Sequence, residues 1–140
     1  MTTGTMTGNV TLDGVKNSFS ATSVRRDINY EYDTESMALR FFGTQDTSTE
    51  SICVQVAVGD QNTQGGKLIL GDLKLVSVLL SSPGCGGALG GRPPIRLTSG
   101  TVELKRDDAS NNIQGTIVAS GIDDKKSYSV DLKFNLTGTN

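Results

Sequence analysis

The sequence predicts an all-β domain, an antiparallel sandwich of about 8–10 short strands, and three observations carry that reading. Apolar residues recur at every second position from one end of the chain to the other, the period of a strand with one wet face. Gly is abundant at 17 residues against 3 Pro, which suits many tight turns. Aromatics are only 5% and Trp is absent, so the core must be aliphatic. A closed, lipocalin-like β-barrel is the alternative, because its strands alternate in the same way. The 140 residues fit one domain, assigned to 9–140, with the Thr/Gly-rich residues 1–8 set apart as a flexible N-terminal segment.

Val10 and Leu12 lead into Asp13-Gly14, and the chain returns through Phe19 and Ala21. Asp-Gly suits a type I′ turn, where both central residues need positive φ, so this reads as a hairpin. Ile28, Tyr30 and Tyr32 form the next strand, followed by Met37, Leu39 and Phe41. Ile52, Val54, Val56 and Val58 make the clearest β-branched strand. Gly59 to Gly66 reads as a turn and Lys67 to Leu70 as a short strand. Asp72 with Leu73 to Leu80 fits either a short capped helix or a strand buried on both faces, and Val76 and Val78 favour the strand. Val102 and Leu104 lead to a polar turn at Asp107 to Asn111, and Ile113, Ile117 and Ala119 come back. Beyond Asp123-Asp-Lys-Lys126, Tyr128, Val130, Leu132, Phe134 and Leu136 close the domain.

Several classes of chemistry are excluded outright. The chain has no His, so no imidazole base can serve a Ser or Cys nucleophile, and no His-ligated zinc centre can form. Two cysteines cannot build a Cys-rich metal site, and neither a metal nor a cofactor is expected. The adjacent pairs Asp107-Asp108 and Asp123-Asp124 fall in turns, where neighbours seldom share acid/base work. Asp60 to Gly65 faintly matches a calcium loop, but Gly71 stands where the bidentate Glu belongs. The formal charge is −2, and Arg25-Arg26, Lys105-Arg106 and Lys125-Lys126 are isolated pairs beside Asp, read as solvated turn ends. No basic patch for nucleic acid stands out, and no apolar run approaches the roughly 18 residues of a membrane-spanning helix.

One shift in composition remains, from Ser81 to Pro94, which holds five glycines and all three prolines. A phosphate cradle would feed a helix, whereas Arg92-Pro-Pro restarts an extended chain. The segment is therefore taken as a connector whose Gly84, Gly86, Gly87 and Arg92 are the candidate contacts for a protein or cell-surface partner. Cys85 lies within it and Cys53 within a strand. Their even count points to a disulfide that would close a loop of roughly 30 residues and stabilise by about 3–4 kcal/mol.

The stretch Gly100-Thr-Val-Glu-Leu, then Ile113-Gln-Gly-Thr-Ile-Val-Ala, then Tyr128 to Leu136 resembles the closing hairpins of small bacterial secreted or lipoprotein-like β-sandwich domains of unknown function. Leu12-Asp-Gly and Phe19-Ser-Ala fit the same pattern. The resemblance implies an antiparallel sandwich at a secreted or periplasmic address and supplies no active-site residues. The expected role is a non-catalytic binding or structural domain acting through surface loops. Two alternatives stand beside it: a carrier of a small apolar ligand inside a barrel, and a carboxylate-dependent hydrolase.

Overall fold

Two-residue turns set the hairpins that build the molecule. Strand β1 (Thr3–Leu12) reverses into β2 (Val15–Ser20) with Leu12 opposite Val15. Asp13 and Gly14 take φ of 53° and 81°, the left-handed values a type I′ turn demands. The Asp13 carboxylate accepts a hydrogen bond from the hydroxyl of Tyr128, which is buried. The other long hairpin joins β10 (Asn112–Asp123) to β11 (Lys126–Thr137), with Asp123 opposite Lys126. Its turn residues Asp124 and Lys125 sit at φ of 48° and 64° without a glycine.

This is a computed structural model, and it describes residues 1–32, 36–46, 51–59, 65–70, 76–81 and 94–139. The remaining described strands are β3 (Ser23–Tyr32), β4 (Ser36–Asp46), β5 (Ser51–Val58), β6 (Gly65–Ile69), β7 (Val76–Ser81), β8 (Ile95–Leu97) and β9 (Ser99–Asp107). They form a six-stranded sheet in the order β2-β1-β11-β10-β9-β6 and a five-stranded sheet in the order β3-β4-β5-β7-β8. Every neighbouring pair is antiparallel.

The period of two works as the sequence predicts. Along β11 Tyr128, Val130, Leu132, Phe134 and Leu136 are buried, while the residues between them face outward. They meet Leu39, Phe41, Val54, Val56, Val78, Leu80 and Leu97 of the other sheet in one apolar core. The rings of Phe41 and Phe134 stand 4.7 Å apart at their centroids, tilted by 39°, a favourable aromatic contact between the sheets. Gly43 makes room for the close approach of the two layers. A Cβ there would come 2.9 Å from the Met6 sulfur and 3.1 Å from the Ala21 Cβ.

The architecture is a β-sandwich, with eleven strands among the described residues. The closed barrel is overturned, because the strands divide into two separate ladders. At Ala21–Thr22 the chain steps across, with Ala21 N–H bonded to Met6 and Thr22 N–H to Thr44. At Thr98 it crosses again within a single residue between β8 and β9.

Four further expectations meet the structure. Residues 1–8 are no tether: Thr3 to Gly8 pair with Thr137 to Leu132, and Met6 is fully buried. Thr3, Thr5 and Thr7 alternate outward around Met6, so the Thr/Gly composition hid a half-buried strand. Val76–Ser81 is a strand buried on both faces, not a helix. Arg25 and Arg26 are not at a turn end but inside β3. Arg26 is only 1% exposed; its Nη1 donates to Asn111 Oδ1 at 3.2 Å, and its Nε lacks a partner. Burial, with Arg106 nearby, lowers its pKa from the ordinary guanidinium range, and Asp108 acts in the opposite sense. Finally, the polar turn at 108–111 is as expected, with Asp107 Oδ1 accepting the Ala109 N–H at 3.0 Å.

Candidate functional site

Antiparallel register, more than any local motif, assembles the candidate site. On the outer face of the six-stranded sheet, cross-strand partners line up in rows. One row runs Thr5, Asn135, Gln114, Lys105, and the next runs Thr7, Lys133, Thr116, Glu103, Lys67. These residues line an open groove of about 770 Å³. Leu104, Gly115 and Phe134 also line it, but the side chains of Leu104 and Phe134 are buried in the core. It is therefore strand backbone that forms the floor there. Gly115, in register with these two residues, is tolerated there only as glycine, since a Cβ at this position would stand 1.8 Å from the Glu103 carbonyl oxygen.

The side chains along the groove carry a net positive charge. Its lining holds Lys67, Lys105 and Lys133 against Glu103, a net +2 on a chain whose total is −2. All four charged side chains are exposed. Among the described residues none of the three lysines takes part in an ion pair. Around them stand the hydroxyls of Thr5, Thr7 and Thr116 and the amides of Gln114 and Asn135. On one side the following row brings Asp131, Val118, Thr101 and Ile69; on the other, Asp107 lies beyond Lys105. Such a surface can donate and accept hydrogen bonds over a wide area and attract a negative partner.

The predicted contact residues Gly84, Gly86, Gly87 and Arg92 lie outside the described residues, and so does Cys85. Cys53 is buried on β5, opposite Thr44 of β4 and Ser81 of β7. The turn carboxylates serve the turns they sit in. Asp108 pairs with Arg106 at 2.7 Å. Hydrogen bonds from Ser110, then from the backbone at Ser110 and Ala109, hold the Asp107 carboxyl below the usual aspartate range, the reverse of what a general acid needs. Among the described residues no three His, Cys, Asp or Glu side chains gather where a metal could bind, and no helix is long and apolar enough to cross a membrane.

Sequence reasoning missed the groove because its lysines come one from each of three strands, Lys105 within a pair read as a turn end. Lys67, Lys105 and Lys133 each occupy the outward position of an alternating run, where a polar residue needs no explanation. The signal was present only in combination with a register. Compared with family models, with curated proteins and with solved structures, the chain matches none.

Proposed function

We propose that the protein is a non-catalytic binding domain that engages a hydrophilic partner on the outer face of its six-stranded sheet. The observation that carries this reading is the groove itself: exposed hydroxyl, amide and ammonium groups over a backbone floor. Five strands contribute to it, so the scaffold is rigid and the side chains are adaptable, a division suited to recognition. The carrier reading loses its support with the barrel it required. The hydrolase reading finds no support in carboxylates occupied by turn hydrogen bonds and an ion pair.

The test is a map of the bound surface. Isotope-labelled protein is titrated with dextran, a neutral soluble polysaccharide, and with polygalacturonate oligomers, an acidic one. Amide shifts should move in β1, β9, β10 and β11, around Thr7, Thr116 and Lys133. Shifts confined to β3, β4 and β5 would overturn the assignment of the face.

A disulfide between Cys53 and Cys85 and an extracytoplasmic address belong to the same reading, supported by the even cysteine count. Unreduced, denatured protein is expected to show no titratable thiol; two thiols would remove both.

A further inference from the structure

Three features of the molecule hold polar groups without an evident structural duty: the buried Arg26, the hydroxyl-lined depression at one end, and the lysine groove. Arg26 faces a region crowded by Asn111, Arg106 and Asp108, which leaves no described cavity beside its Nε. The end depression, lined by Ser99, Ser120 and Ser129, carries no charge to select a ligand. The groove carries both space and charge.

We propose that the groove binds an acidic polysaccharide, a chain whose carboxylate or sulfate groups recur at intervals along a hydroxyl-rich backbone; this rests on the binding face assigned above. Lys133 and Lys67 occupy one cross-strand row, with Thr116 and Glu103 between them. Three inter-strand steps place their Cα atoms about 14 Å apart. Lys105 lies two residues from Glu103 along β9, in the neighbouring row. The three cations thus form a broad triangle, suited to sparse anionic groups on an extended chain. A phosphodiester duplex presents one charge per about 1.7 Å of its axis, far denser than three lysines on a net acidic protein can neutralise. Single-stranded nucleic acid asks for exposed rings on which bases stack, and the groove's one aromatic, Phe134, has its ring in the core.

Thr5, Thr7, Gln114 and Asn135 supply both donors and acceptors beside the lysines. That pairing matches a sugar chain, whose hydroxyls do both as well. Glu103 stands in the same row as Lys67 and Lys133, directly opposite Lys67 and one strand from Thr116. It spaces the anionic groups of the ligand, since a second carboxylate directly above it is repelled. Asp131 and Asp107 stand just outside the cationic rows and confine an anionic chain between them.

The experiment measures the affinity of polygalacturonate oligomers, a sulfated dextran, unmodified dextran and a single-stranded DNA oligomer for the intact chain, at low and raised salt. Three proteins are compared: the parent, the triple variant Lys67→Gln/Lys105→Gln/Lys133→Gln, and the control Lys16→Gln, whose exposed lysine lies on β2 outside the groove. The parent should bind one or both acidic chains, the carboxylated and sulfated arms separating the two anion types, and salt should weaken both. The triple variant should lose about tenfold in affinity or more, with Lys16→Gln unchanged and the amide spectrum of each variant reporting an intact fold. Three results would each overturn the proposal: no binding of either acidic chain, equal binding by parent and triple variant, or tighter binding of a single-stranded DNA oligomer. Should dextran alone shift the groove amides, the acidic ligand is wrong while the binding face stands. Should every ligand act elsewhere, both are wrong.

Discussion

On the outer face of the five-stranded sheet, Arg25 and Arg40 turn onto a single carboxylate. Arg25 Nε meets Asp27 Oδ1 at 2.7 Å, and Arg40 approaches Asp27 Oδ2 through Nε at 3.0 Å and Nη2 at 2.6 Å. Both guanidinium groups also lie over the Phe42 ring, 5.6 and 5.7 Å from its centroid. On the opposite outer face, Lys67, Lys105 and Lys133 have no such partners among the described residues. On the first face Arg25 and Arg40 are held by the sheet's own groups, through planar forks that fit a carboxylate and lie over a ring. The other holds compact, hydrated ammonium groups in the open. The difference separates structural charge from charge available to a partner, and burial explains it: the Asp27 side chain is 10% exposed, so its charge requires compensation.

The comparison can be broken at several points. The largest effect is expected at the groove floor. Gly115→Val sets a side chain against the Glu103 carbonyl and should cost about 3 kcal/mol or more in urea unfolding. Next is Asp27→Ala, which takes the shared carboxylate away from the Arg25 and Arg40 guanidinium groups; a loss of about 2 kcal/mol is expected by the same measurement. Phe42→Leu removes the ring beneath both arginines and should cost about 1 kcal/mol. The smallest effects belong to the lysines: each Lys→Gln change in the groove should stay within about 0.5 kcal/mol. If these substitutions destabilise as much as Asp27→Ala does, the lysines are structural and the contrast between the faces is lost.

Acid unfolding sharpens the same contrast. Burial pushes the Asp27 carboxyl up, but hydrogen bonds and charge from Arg25 and Arg40 outweigh it and hold the group below the ordinary aspartate range. A carboxylate with a depressed folded pKa stabilises above its unfolded value, about 3.9, and that contribution fades as pH falls through the folded value. The stability gap between the parent and Asp27→Asn should therefore be full near neutrality and shrink below about pH 4. A gap that stays constant into acid would mean that the ion pairs contribute nothing.

Much of the scaffold was legible before any coordinates. Tyr128 to Leu136 announced a half-buried strand by spacing alone, and Asp13-Gly14 announced its turn by chemistry. Asp124-Lys125 was harder, because its left-handed residues lack the glycine that usually marks them. Thr3 to Gly8 was misread, since small polar residues around one Met look alike in a tether and in an edge of the core. Arg26 was misread for a related reason: nothing local distinguishes a solvated arginine from one whose stem fills the end of a sandwich.

What the chain determined by itself is the alternation that puts aliphatic side chains on one face of each strand, together with the turn residues that reverse it. Both are local, fixed by backbone geometry within a few positions. Sandwich rather than barrel, and lysines gathered rather than scattered, were decided only when strands distant in sequence found their partners. Those outcomes depend on which ladder each strand joins and in which register, and the packing of the whole core selects both.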